Sequence, residues 1–206
     1  MVKYNPRINQ EAALASSALR EGGVVAFPTE TVMGLGVVFN NREAYDKLNK
    51  VKERPEDKPY TMMVANVEDI AKYAIIDDAT QRVIDAFMPG SITILVNVKK
   101  NSVPSYVTHN TDVIGIRIPT NIEARVLLEM VNIPLLVPSA NKSGSKPALN
   151  SDEVKEIFGS ELDFAMSGKA YGEVPSTIVD LTKETPRVVR PGPISEEEIL
   201  KVWNNK

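Results

Sequence analysis

The sequence contains no cysteine, which excludes disulfides, thiol nucleophiles and thiolate metal sites. It contains one histidine, His109 in VTHNTD. A single imidazole cannot build a histidine-rich metal site, and no carboxylate stands beside it at helical spacing, so His109 reads as a loop residue. No apolar run approaches the length that crosses a bilayer, and the opening segment MVKYNPRINQEAA lacks the apolar core of a secretory signal. These absences point to a cytoplasmic protein with no membrane partner. The glycine-rich signatures GxGxxG and GxxxxGKS/T are both missing, so neither a dinucleotide fingerprint nor a P-loop is present. There is no excess of positive charge either: the net charge is −3, and the whole molecule is no electrostatic magnet for nucleic acid.

What is present is an ordinary globular composition. The 206 residues are 43% hydrophobic and 25% charged, enough to bury a sizeable core. No repeat, low-complexity tract or long linker divides them, so the expectation is one domain over residues 1–206. Helical spacing runs through NQEAALASSALREGG, with Asn9 as the N-cap, Ala12, Leu14, Ala15, Ala18 and Leu19 on the apolar face and Gly22 as the stop. Further helices are predicted in NREAYDKLNKVK, DATQRVIDAFM, NIEARVLLEMV, SDEVKEIF and SEEEILKVW, the last with a capping box. Strands are predicted in VVAF, YTMMVA, SITILVNV, DVIGIRIP, IPLLVPS, DFAM, STIVDL and RVVR. Helices and strands alternate without strict order, which places the chain in the α/β class with a twisted mixed sheet.

Three polar constellations stand at or just beyond element ends, where sites in α/β proteins are usually built. Thr29, Glu30 and Thr31 follow the VVAF strand. Lys52, Arg54 and Lys58 lie in KERPEDKP, within a basic stretch that also holds Lys47 and Lys50. Ser139, Asn141, Lys142, Ser143 and Asn150 lie in VPSANKSGSKPALN. Singly, each is equally a hydroxyl-satisfied turn, a solvated helix end or an Asx-turn loop. Together they suit a compact polyanion: arginine offers a bidentate fork, lysine a point charge, and small hydroxyl and amide groups hydrogen-bond phosphate or carboxylate oxygens. Arg117, between Ile116 and Ile118 in a strand, points to the opposite face from its neighbours and reaches either solvent or an anion in a cleft. Arg190, at a strand end before a Pro-Gly turn, poses the same choice.

FPTETVMGLG, KERPEDKP, IGIRIP, PSANKSG, PSTIVDLT and VVRPGPIS occur in the order and approximate spacing of the YrdC/TsaC family of threonylcarbamoyl-AMP synthases, and the chain resembles that family from about Gly22 to Ser195. The pair KxR and SxN (Lys52, Arg54, Ser139, Asn141) is the most specific part. The resemblance implies a YrdC-like fold, whose twisted mixed sheet with flanking helices surrounds a concave, positively lined cavity. It implies that L-threonine, bicarbonate or CO2, and ATP with Mg²⁺ become threonylcarbamoyl-AMP and pyrophosphate, after which downstream transferase proteins carry the threonylcarbamoyl group to tRNA. By the same resemblance Thr31, Arg117, Ser139 and Ser176 hold L-threonine, and Arg54, Lys58, Asn141, Asn150 and Arg190 hold ATP. Lys52 stands near the bicarbonate and phosphate charges, and Gly34 and Gly36 let backbone approach the substrate.

Two positions depart from the family pattern: Met33 where tyrosine is usual, and Ser91-Ile92 where Pro-Leu is common. The chain closes about one helix after RPGPIS, which resembles the short, single-domain branch. Two other readings remain: an RNA-binding module whose cavity tracks a phosphate backbone, and a carbamoyltransferase-type YrdC domain. Weak tRNA contact beside catalysis is compatible with the synthase reading.

Overall fold

Asn5, not Asn9, starts the first helix. In the computed structural model, which describes residues 5–54 and 59–205, α1 spans Pro6–Arg20 and the Asn5 side chain accepts from Arg7 N. Proline at the first helical position explains the shift: its fixed φ suits that position, and its missing N–H is one a helix leaves unpaired there anyway. Leu14, expected on the apolar face, is exposed; the buried stripe is Ala12, Ala15, Ser16 and Leu19.

The remaining helices are α2 (Arg42–Lys52), α3 (Val67–Tyr73), α4 (Asp78–Phe87), α5 (Ser105–Thr108), α6 (Ile122–Val131), α7 (Ser151–Phe158) and α8 (Glu196–Asn204). Side-chain caps begin most of them: Asn41, Asp77, Asn121 and Asn150 each accept a backbone N–H of the first turn. Ser195 and Glu198 close the predicted capping box on α8. The short α3 and α5 are absent from the sequence-based expectation. Neither has a side-chain cap bond, and at seven and four residues both are shorter than the stretch over which helical periodicity can be read.

The strands are β1 (Val25–Phe27), β2 (Gly34–Val38), β3 (Thr61–Met63), β4 (Ile92–Asn97), β5 (Val113–Arg117), β6 (Leu135–Leu136), β7 (Phe164–Ala165), β8 (Thr177–Asp180) and β9 (Arg187–Arg190). They form one nine-stranded sheet in the order β7-β1-β2-β6-β3-β5-β4-β8-β9. It is mixed: β1–β7, β3–β5 and β4–β8 run parallel, and the other neighbours antiparallel. The α/β class with a twisted mixed sheet and flanking helices is therefore the fold.

β2 is a strand that sequence reasoning missed, because two glycines in five residues are poor strand formers. Its neighbour explains them. A Cβ on Gly36 would sit 2.8 Å from the Phe27 ring, and one on Gly34 would sit 2.9 Å from Val137 Cγ1. At Gly36 the open space is thus filled by a core aromatic and not by a ligand, which corrects half of the expectation for this pair.

Two buried clusters lie against the sheet. One joins α1 to α6, with Leu19, Leu127 and Leu128 packed near Val25, Phe27 and Leu135. The other gathers α2, α4, α7 and α8 around Ala26, Leu35, Val37, Ile94 and Ile116. Alternation places Val25 and Phe27 in one and Val24 and Ala26 in the other, the pattern of a strand covered on both faces. Each fully buried leucine contributes about 1.5–3 kcal/mol, and this two-faced core fixes the strand ends that carry the polar constellations.

Candidate active site

α2 ends where the site begins. Glu53 leaves the helix in the left-handed region, at φ 52°, and turns the chain toward Arg54. The unpaired carbonyls of the last turn are met from the loop after β6: Lys142 Nζ donates to Val51 O at 2.8 Å and Ser143 N to Lys52 O at 3.0 Å. In return, the Lys52 side chain enters that loop. Its Nζ donates to Ser139 O at 2.6 Å, Asn141 O at 2.9 Å and Asn141 Oδ1 at 3.0 Å. Ser139 Oγ donates to the same Oδ1 at 2.6 Å, while Asn141 Nδ2 donates to Lys142 O and Ser145 O.

The KxR and SxN motifs thus meet, through a buried ammonium. Burial, and then the charge of Arg54, lowers the Lys52 pKa from 10.5 to about 7. Three oxygens that each call for a proton act in the opposite sense and favour the charged form.

The opposite wall is the turn between β1 and β2. Thr29 Oγ1 donates to Val32 O at 2.6 Å and accepts from Thr31 N at 3.1 Å. The hydroxyl of Thr31 lies 3.0 Å from it and accepts from Arg117 Nη2 at 3.1 Å. Arg117, at the end of β5, is 5% exposed, so it reaches an anion and not solvent. That anion is the chain's own Glu30, at 2.5 Å.

The third wall is the β8–β9 pair. Arg190 donates through Nε and Nη2 to Ser176 O, at 3.1 and 2.7 Å, and through Nη2 to Ser176 Oγ at 3.1 Å. Ser176 Oγ lies 2.9 Å from Thr93 Oγ1. Burial first, and the charge of Arg117 second, hold the Arg190 guanidinium below its ordinary pKa. Arg54 closes the mouth: its Nη2 donates to Pro59 O at 2.8 Å, and its guanidinium lies 4.4 Å from the Tyr60 ring centroid. Burial pushes the Tyr60 phenol well up, against the opposing charge of Arg54, and its hydroxyl donates to Asn49 Oδ1 at 2.6 Å.

Between these walls is a cleft of about 150 Å³ lined by Thr31, Arg54, Arg117, Ser139, Ser176 and Arg190, together with Met33, Gly34 and Tyr60. Met33, the departure from the family pattern, is fully buried and lines it. A second, more apolar cleft of about 250 Å³ shares Pro59, Tyr60, Thr61 and Ile178 with the first.

The structure therefore brings together six of the sequence-predicted site residues. Lys52 and Asn141 lie behind the Ser139 wall and are not among its lining residues. Asn150 caps α7: its Oδ1 accepts from Asp152 N and Glu153 N, and its Nδ2 donates to Glu153 Oε1. Lys58 lies outside the described residues. His109 follows α5 with its Nε2 3.2 Å from Tyr45 Oη and does not line the cleft. Thr93 and Tyr60 carried no sequence signal, since their partners come from other strands and helices.

Three guanidiniums and five serine or threonine side chains thus line one cleft of an α/β protein with a mixed sheet. A family model described as "Telomere recombination", for the Sua5/YciO/YrdC domain, matches residues 17–192; the chain belongs to that family. It is 36% identical over 208 residues to a threonylcarbamoyl-AMP synthase of Pyrococcus abyssi, an alignment covering 98% of this chain and 60% of the relative. The chain thus spans about three-fifths of that relative's length. Among solved structures, P. abyssi Sua5 complexed with L-threonine superposes with a TM-score of 0.89 at 33% identity, covering 94% of this chain and 57% of the other. E. coli YciO superposes at 0.86 and 28% identity, covering 95% of each.

Proposed function

We propose that the chain forms threonylcarbamoyl-AMP from L-threonine, bicarbonate or CO2, and ATP, releasing pyrophosphate, in service of threonylcarbamoyladenosine modification of tRNA. The observation that carries this reading is the convergence of Arg54, Arg117 and Arg190 with Thr31, Ser139 and Ser176 on one cleft. The relatives' names and the L-threonine bound to P. abyssi Sua5 support it.

The chemistry asks for what the cleft offers. The threonine amine takes up CO2 to give an N-carboxylate. One carboxylate oxygen attacks the α-phosphorus of ATP, forming a P–O bond as the bond to pyrophosphate breaks. The N-carboxylate, ATP and both products are anionic, so the protein's work is positioning and charge stabilisation. Thr31, Arg117, Ser139 and Ser176 hold the amino acid, while Arg54, Lys58 and Arg190 bind the triphosphate. Asn141 and Lys52 act by fixing the Ser139 loop.

Mg²⁺ fits as an ion carried by ATP and water. Among the described residues no group of three or more acidic or histidine side chains could hold a metal, whereas the cleft is rich in phosphate donors. Transferase partners would then accept the adenylate. No helix among the described residues is long and apolar enough to cross a membrane.

The test is pyrophosphate release with ATP and Mg²⁺. Release is expected only when L-threonine and bicarbonate are both present, and Arg54→Ala should abolish it while leaving the far-UV circular dichroism unchanged. Threonine-independent turnover, or none, would refute the proposal.

A further inference from the structure

Glu30 stands between the two threonines of the first motif, yet the proposed reaction gives it no task. Its carboxylate is 12% exposed, and both oxygens are engaged. Oε1 accepts from Arg117 Nη2 at 2.5 Å and Oε2 from Asn121 N at 3.3 Å. Asn121 is the N-cap of α6, so Glu30 is anchored to a helix start on one side and grips a guanidinium on the other.

Arg117 shows the complementary pattern. Its Nη2 donates to Glu30 and to Thr31, while its buried Nε has no hydrogen-bond partner. The guanidinium is fixed from one side with donor capacity left over. Arg190 is close enough for Arg117 to disfavour its charge. This corner of the cleft therefore holds two cations, of which Arg117 is buried, and one carboxylate. With Glu30 the corner carries a net charge of one; without it, two.

We propose that Glu30 is a positioning residue that orients Arg117 and cancels its charge, so that this corner takes a singly charged amino-acid carboxylate in preference to a phosphate. The inference rests on the function proposed above. Glu30 touches no reactant and works only through Arg117.

The test is calorimetric titration of L-threonine and of inorganic pyrophosphate into the wild-type chain and into Glu30→Gln, Arg117→Gln and the double variant, each checked for folding by circular dichroism. Glu30→Gln should weaken L-threonine and tighten pyrophosphate, each by about tenfold, and in the Arg117→Gln background it should change L-threonine affinity by less than about twofold. Unchanged affinities in Glu30→Gln would overturn the proposal, as would an equal effect in both backgrounds, which marks a merely structural residue.

If Glu30→Gln alone fails to fold, the double variant, which buries no unpaired charge, is compared with Arg117→Gln: equal L-threonine affinities sustain the role, and a difference refutes it. If the wild-type chain binds no L-threonine, the proposed function fails separately. The Glu30 inference is then decided by pyrophosphate alone, tighter in Glu30→Gln if it holds and unchanged if it does not.

Discussion

Lys52→Met separates what the buried ammonium does for the fold from what it does for the site. Methionine keeps an unbranched apolar stem and withdraws all three donors. The three bonds at 2.6, 2.9 and 3.0 Å come from a charged group, and such bonds contribute about 1.5–3 kcal/mol each. Against that loss, the ammonium no longer has to be buried. A pKa lowered from 10.5 to about 7 corresponds to a penalty of roughly 5 kcal/mol. Ser139 O still accepts from Asn141 N at 3.1 Å, and Asn141 Oδ1 from Ser139 Oγ at 2.6 Å, so only Asn141 O is orphaned.

The net loss is therefore about 2 kcal/mol, or a fall of about 4–8 °C in Tm. Its pH dependence follows from the sign of the shift. The folded-state pKa lies below the unfolded one, so between pH 7 and 10.5 the unfolded chain binds more protons at this residue and wild-type stability rises with pH. The penalty is complete below that window and absent above it, and methionine never has it. The Tm gap between the two proteins should widen from pH 7 toward pH 10. Turnover should fall about a hundredfold at every pH, because Ser139 loses the anchor that fixes its place in the cleft. Calorimetric melts and pyrophosphate release measure the two effects. Turnover within twofold of wild type, a Tm loss above about 20 °C, or a gap that does not move with pH would refute the reasoning.

Gly192→Ala should perturb the Ser176 wall from behind. Its Cβ would lie 2.3 Å from Thr177 N and 2.7 Å from Pro175 O, so melts should show about 1–3 kcal/mol of destabilisation from overpacking, and KM for L-threonine should rise. Asn150→Ala removes the cap of α7 and should lower stability by about 1 kcal/mol. Because every bond of its amide is local, KM for ATP should stay within twofold of wild type in steady-state assays.

Periodicity made the amphipathic helices legible: α4, α6 and α8 fall where their apolar spacing and caps put them. Boundaries were less legible where one residue overrode a pattern, as Pro6 did in moving the start of α1 to Asn5. β2 was hidden because Gly34 and Gly36 follow no strand propensity; they are explained only by the Phe27 ring and Val137, contacts that the pleat creates. The polar constellations could be found singly, but nothing in their spacing says that they converge. Resemblance supplied that expectation, and tertiary structure supplies its physical content. Glu30 was passed over for the same reason: its partner Arg117 lies 87 residues away, and a lone carboxylate between threonines looks like part of a turn. Asn150 shows the reverse case, since a cap and a ligand contact use the same amide and the sequence does not separate them.

The strand order has a consequence for how occupancy of the cleft is felt. Thr31, Arg54, Arg117, Ser139, Ser176 and Arg190 come from nearly the full span of the chain, and they meet only because β2, β6, β3, β5, β4, β8 and β9 lie side by side. No short fragment contains the cleft, so opening any central strand dissolves it. A bound ligand therefore draws its affinity from the closed state of the whole sheet. At a hundred times its Kd it adds about 2.7 kcal/mol to the global opening energy. Slow amide exchange should then deepen together in β2 and β8, at opposite sides of the sheet, so that solvent exchange in strands not adjacent to one another reports whether the cleft is filled.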